Sequence, residues 1–111
     1  MEEKETQVIV ADLKQQYKGY CLVQLTLPNN KDFFVCRLLN WEQYKPLVGS
    51  SESVASAFET IVTKCLVYPT VDYESFQNDA EKWSPGTIQG LGEAIQKAHG
   101  FSQGEVSIKK L

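Results

Sequence analysis

The chain has 111 residues, 42% hydrophobic and 23% charged, with a formal net charge of -3. Those totals describe one globular domain over 1–111 with room for a core, and they supply no apolar run long enough to cross a bilayer. An acidic balance argues against a nucleic-acid backbone as the main partner, and the opening MEEKE lacks the basic start of an export signal.

Residues 1–7 read as a polar terminus. Val8-Ile9-Val10 predicts a brief strand, followed by a helix over Asp12–Lys18 that Gly19 ends; the alternative is that the three apolar residues are the entry to that helix. Tyr20–Leu27 alternates as a strand, with Cys21, Val23, Leu25 and Leu27 on one face and Gln24 and Thr26 on the other. Pro28-Asn29-Asn30-Lys31 is a turn, since Asn tolerates positive φ. Asp32–Leu39 returns as a second strand, apolar on both faces except at Arg37, which either reaches an acidic partner or lies at an edge. A two-residue turn at Asn29-Asn30 sets Cys36 opposite Val23 and Cys21 opposite Leu38, a register that allows no direct cross-strand disulfide.

Asn40 followed three residues later by Gln43 is a capping-box pattern. The helix it starts should reach about Leu47, limited by Pro46. A second helix follows from Ser51 or Glu52, with Val54, Phe58, Ile61 and Cys65 spaced four, three and four and with Val62 and Leu66 widening the stripe. Pro69 forces the chain out of helix at Tyr68. A short helix over Tyr73–Lys82, capped by Asp72, carries spaced aromatics in a polar segment.

Ser84-Pro85 then opens the best-marked helix, which Gly100 closes. Ile88, Leu91, Ile95 and Ala98 make its apolar face. Gly90 and Gly92 inside it, each costing about 1 kcal/mol relative to Ala, predict the close approach of another backbone. The polar tail over 102–111 alternates weakly at Val106 and Ile108, either frayed or a strand completed by something else. The fold class predicted is α+β, a small antiparallel hairpin or sheet packed against a few helices.

Chemistry is sparse. One His and three scattered Cys give no paired metal ligands. Three cysteines, an odd number, point to a reducing compartment, where Cys21, Cys36 and Cys65 serve as small buried hydrophobes. His99, just before the helix-ending Gly100, suits a charge at the helix C-terminus better than a catalytic base. Gln89-Gly90-Leu91-Gly92 lacks the third glycine and the preceding strand of a dinucleotide loop. The carboxylates at Asp72, Glu74, Asp79 and Glu81 lack the spacing of a calcium loop. No catalytic residue, metal site or cofactor is expected, and the chain is not expected to be an enzyme.

One pattern carries further. A hairpin ends in Phe34-Val35-Cys36-Arg37-Leu38-Leu39 and leads into Trp41-Glu42-Gln43-Tyr44-Lys45. A helix ends in Ile61-Val62-Thr63-Lys64-Cys65-Leu66-Val67-Tyr68-Pro69, and last come Pro85-Gly86-Thr87-Ile88, Leu91, Ala94, Ile95 and Gly100-Phe101. This order resembles the small tail-assembly proteins of long-tailed bacteriophages, tail assembly chaperones and related baseplate or tail components. Where such proteins often have a small residue before Gly-Phe, His99 stands here.

The resemblance implies protein binding during virion assembly, as a chaperone or a virion subunit, without a cofactor. It implies other tail or baseplate proteins as partners, and the host cytoplasm or the virion as location. The alternative is a stand-alone intracellular adaptor that binds a peptide or partner strand. Tyr73, Phe76, Trp83, Val106 and Ile108 are the candidate partner contacts, because Tyr and Trp combine a large apolar body with a polar handle. Against that, Trp83 has an equal claim to pack under the start of the last helix.

Overall fold

The computed structural model describes residues 3–28, 30–49, 53–100 and 107–111. Among these residues the architecture is α+β: five helices and a four-stranded antiparallel sheet of order β3-β2-β1-β4.

The first helix, α1 (Glu3–Gln16), replaces the expected polar lead-in and brief strand. Ile9, Leu13 and Tyr17 recur every four residues, and all three pack in one cluster with Leu22, Val35 and Val67 from the sheet. That tertiary stripe outweighs the local strand preference of Val8-Ile9-Val10, which is worth only tenths of a kcal/mol per residue. Gly19, at φ 92°, takes the left-handed conformation that turns the chain out of the helix.

Strands β1 (Leu22–Leu27) and β2 (Asn30–Arg37) form the hairpin. Val23 lies opposite Cys36, and the Leu38 amide donates to the Cys21 carbonyl at 2.9 Å, which is the register expected from the sequence. Towards the turn the register shifts, so that Leu27 pairs with Asn30 rather than with Asp32. Period-two alternation divides the strands. Val23, Leu25, Leu27, Phe34 and Cys36 enter the main core, while Leu22, Phe33 and Val35 point to the side covered by α1. Cys21 is exposed rather than buried, because it precedes the ladder.

Arg37 meets neither expectation, since β2 is an inner strand. Its guanidinium donates twice to the Lys64 carbonyl, at 3.1 and 2.9 Å, and lies 4.8 Å from the Tyr20 ring centroid. An arginine fork satisfies a carbonyl that the end of a helix leaves free.

The next helix, α2 (Trp41–Gly49), has the predicted capping box: the Gln43 amide donates to Asn40 Oδ1 at 2.9 Å and the Asn40 amide to Gln43 Oε1 at 3.1 Å. It continues past Pro46 to Gly49, with Leu47 packed on the main core. The following helix, α3 (Val54–Cys65), starts later than expected, where the Ser53 hydroxyl accepts from the Ser56 amide. Leu66 belongs not to the helical stripe but to β3 (Leu66–Tyr68), which pairs with β2. Pro69 excludes helix at the residue before it, and an extended exit extends the sheet by one short strand.

Capped by Asp72 as predicted, α4 covers Tyr73–Asn78. It ends four residues early because Asp79 starts a turn of its own, accepting from the Lys82 amide at 3.1 Å. The best-marked helix, α5 (Pro85–Ala98), has Ser84 accepting from the Thr87 amide at its start and Gly100, φ 98°, beyond its end. What approaches Gly92 is a ring, not a backbone. A Cβ there would stand 2.9 Å from Cγ of Phe58, so α3 and α5 meet at a distance only glycine permits. Gly90 faces the Leu27 methyls at ordinary contact distance.

The tail forms β4 (Ser107–Lys110), antiparallel to β1, with Leu25 opposite Ile108. The partner that completes this strand is the chain's own sheet. Neither polar terminus is therefore a bare extension, since Glu3–Gln7 lie in α1 and Ser107–Lys110 in β4. Helices α3 and α5 cover one face of the sheet with Ile61, Val62, Leu91, Ala94 and Ile95, and α1 lies on the other.

Candidate functional site

Of the five candidate contact residues, the described side chains are those of Phe76, Trp83 and Ile108, and all three pack on the main core. Trp83 is 4% exposed in the main core, its ring 5.6 Å from Phe76 and 6.5 Å from Phe34. This corrects the expectation of an indole available to a partner: Trp83 packs under the start of α5. Phe76 and Ile108 are half-buried against the same core. Tyr73 opens α4, but its side chain, like Val106, lies outside the described ones.

Among the described residues the large apolar side chains left in solvent are Trp41 and Val8. Trp41 is 64% exposed at the first position of α2, while Tyr44, one turn on, is 4% exposed. Sequence spacing had placed both in the same Trp-Glu-Gln-Tyr-Lys segment without telling them apart. A helix stripe could pass through either ring, and the choice falls to the packing of Tyr44 against His99, at 4.9 Å between ring centroids. Val8 on α1 is 63% exposed, because the stripe that docks α1 passes through Ile9 and Leu13.

His99 is held at both ring nitrogens. Nε2 accepts the Leu39 amide proton at 2.9 Å, and Nδ1 lies 2.8 Å from the Ile95 carbonyl oxygen. One protonation state fits both contacts, the neutral ring with its proton on Nδ1 donating to Ile95. The expected charge at the helix C-terminus is thus replaced by a neutral imidazole that joins α5 to the connection between β2 and α2. With both nitrogens engaged, His99 has no lone pair free to serve as a base.

The buried thiols are equally quiet. Burial pushes the Cys65 thiol up to about 12, only partly offset by the Arg37 charge. Burial raises Cys36 further, with Cys65 and Cys21 adding to it. Neither forms the thiolate that cysteine chemistry needs near neutral pH. Burial also raises the Tyr44 phenol, against a hydrogen bond from the Gln96 side chain. Among the described residues no group of three or more His, Cys, Asp or Glu is placed to hold a metal ion, and no helix is long and apolar enough to cross a membrane.

A groove of about 720 Å³ lies beneath the first half of α1, lined by Glu3, Glu5, Thr26, Phe33, Tyr68 and Lys82 among others. It exists because α1 is anchored at Leu13 and Tyr17, while its first turns stand over the polar side chains of β1.

The molecule is an α+β protein whose described residues assemble a core, a capped set of helices and one exposed indole. No family model, curated protein or solved structure matches the chain.

Proposed function

We propose that the chain is a non-enzymatic bacteriophage tail or baseplate morphogenesis protein that acts through protein–protein contacts, as a virion subunit or an assembly chaperone. The resemblance running from β2 through α5 suggests the tail setting. The observation that carries a binding role is Trp41, 64% exposed within the segment on which the resemblance rests. An indole is costly to leave in water, and Trp is among the residues most often found at the energetic centre of interfaces. The partners are other tail or baseplate proteins in a multi-subunit assembly, met in the host cytoplasm and retained in the virion if the chain is a subunit.

Co-purification from infected cells, with separate analysis of finished particles, tests the reading. Recovery with tail intermediates alone identifies a chaperone, and recovery in particles identifies a subunit. Absence from both overturns the tail assignment. Trp41→Ala should reduce incorporation or partner binding while leaving the melting temperature within a degree or two. Wild-type assembly by that variant would remove Trp41 as the anchor. Loss of a Trp41-dependent complex that contains no tail protein would favour the adaptor alternative.

A further inference from the structure

We propose that His99 is a proton-operated latch. In its neutral form it ties the β2–α2 connection to the end of α5, and protonation releases that connection and resets the position of Trp41. The argument starts from the two contacts of the ring. The Leu39 amide points at Nε2 from 2.9 Å, and Nδ1 faces the Ile95 carbonyl from 2.8 Å. An imidazolium carries a proton on each nitrogen and has no acceptor. Adding a proton at Nε2 therefore sets two N–H groups against each other and removes the bond to Leu39, while the bond to Ile95 survives. His99 leaves the β2–α2 connection and stays on α5.

The consequence reaches Trp41 because little separates it from the latch. Asn40 follows Leu39 and is locked to α2 by the reciprocal bonds with Gln43, and its carbonyl accepts from the Gln43 and Tyr44 amides at 3.2 and 2.9 Å. Displacement of the Leu39 amide is thus carried into the first turn of α2, where Trp41 stands. The titratable groups of the packed elements are few. On α2 the Tyr44 ring faces the imidazole at 4.9 Å, and Glu42 and Lys45 are paired with each other at 3.1 Å on the exposed side. On α5 the nearest charged residue in sequence is Lys97, whose like charge does not favour a cation at His99. The role given to Trp41 rests on the protein-contact reading above, whereas the latch itself is read in the isolated protein.

Nitrogen-15 and amide NMR of the full chain decides the matter. At pH 8 the His99 ring should show the Nδ1–H tautomer. Between pH 8 and 5 the Leu39 amide and the Trp41 indole N–H should move along one titration curve together with the His99 ring. His99→Gln offers one acceptor and one donor without titrating, so its Leu39 and Trp41 signals should stay flat over that range. An Nε2–H tautomer at pH 8, pH-independent Leu39 and Trp41 signals in the wild-type chain, or titration that persists in His99→Gln would each overturn the latch. The wild-type spectra decide it even if the variant does not fold. A working latch with no tail partner would leave the inference intact and sink only the assembly reading.

Discussion

On the face of the sheet covered by α3 and α5, Leu25, Ile61, Val62, Leu91 and Ile95 have no exposed surface, and the two helices touch through a glycine. On the face covered by α1, the one buried helical side chain is Leu13, at 6%, and the half-buried Gln24 and Thr26 of β1 replace apolar residues. The same hairpin supplies both faces, so the difference comes from what packs on it. Two helices that interdigitate exclude water along their whole length. A single amphipathic helix closes only the strip its stripe can reach and leaves a groove beside it. The second face thus acts as an attachment and the first as the core, and four measurements test that division.

Truncation at the centre of the first face should have the largest effect. Leu91→Ala removes a side chain with no exposed surface, and should cost about 2–5 kcal/mol in denaturant titration. Leu13→Ala, at 6% exposure beneath a helix with open space beside it, should fall at the low end, about 2 kcal/mol, because neighbours can relax into the gap. Equal losses would mean that α1 is as much part of the core as α5.

The contrast also explains which parts of the fold were legible. Where local signals and tertiary packing agreed, the sequence was enough: the Asn40/Gln43 box, the Asp72 and Ser84 caps, Gly100, the Val23–Cys36 register and the stripe on α5 all appear as read. It misled where two local readings competed and a distant surface decided. Val8-Ile9-Val10 favours strand by itself, but Leu13 and Tyr17 recruit Ile9 into a helix only because Val35 and Val67 wait on the sheet. Leu66 fits the α3 stripe equally well until β2 offers it a ladder. The tail over Ser107–Lys110 has too little apolar surface to declare itself, and β1 completes it.

The candidate site was less legible for the same reason. Exposure is a property of the assembled fold, and the sequence pointed to Trp83 as a contact while Trp41 stood only within the Trp-Glu-Gln-Tyr-Lys pattern. Only the docking of Phe76 and Phe34 around one indole, and the stacking of Tyr44 rather than Trp41 on His99, separates them.

A pH experiment sharpens the comparison chemically. The thiols of Cys36 and Cys65 lie in the first face, and burial raises both above the ordinary thiol value of 9.0. A raised folded value means that the unfolded chain loses its thiol protons first. The stabilising effect is therefore complete below about pH 9 and is lost as the pH rises from there towards about 12 for Cys65. Each thiol should contribute a slope of at most about 1.4 kcal/mol per pH unit in that window. Urea titrations with reductant at pH 8, 9 and 10 should show the decline. Cys65→Ala, less stable at neutral pH, should decline less steeply. A slope unchanged by that substitution would mean that water reaches the thiol, and that the first face is less closed than its packing indicates.

The smallest effect should arise where the two faces are joined. Arg37 leaves β2 beside the second-face cluster, lies 4.8 Å from the Tyr20 ring and 5.9 Å from the Tyr17 ring, and donates twice to Lys64 at the end of α3 on the other side. Tyr17 extends α1 by one bond, its amide donating to the Leu13 carbonyl at 2.9 Å, so the guanidinium spans both layers. Lysine in its place keeps the charge and reaches one carbonyl, but it has no planar fork to make two bonds while stacking on a ring. Arg37→Lys should cost about 1 kcal/mol, the net worth of one such bond. The more telling readout is where the structure loosens. Amide exchange should quicken over Leu13–Tyr17 and at the end of α3, while Leu91–Ile95 keeps its protection, because the first-face helices hold each other without Arg37. Loosening confined to the last turn of α3 would reduce Arg37 to a cap on that helix. Loosening that spreads into α5 would erase the division between core and attachment.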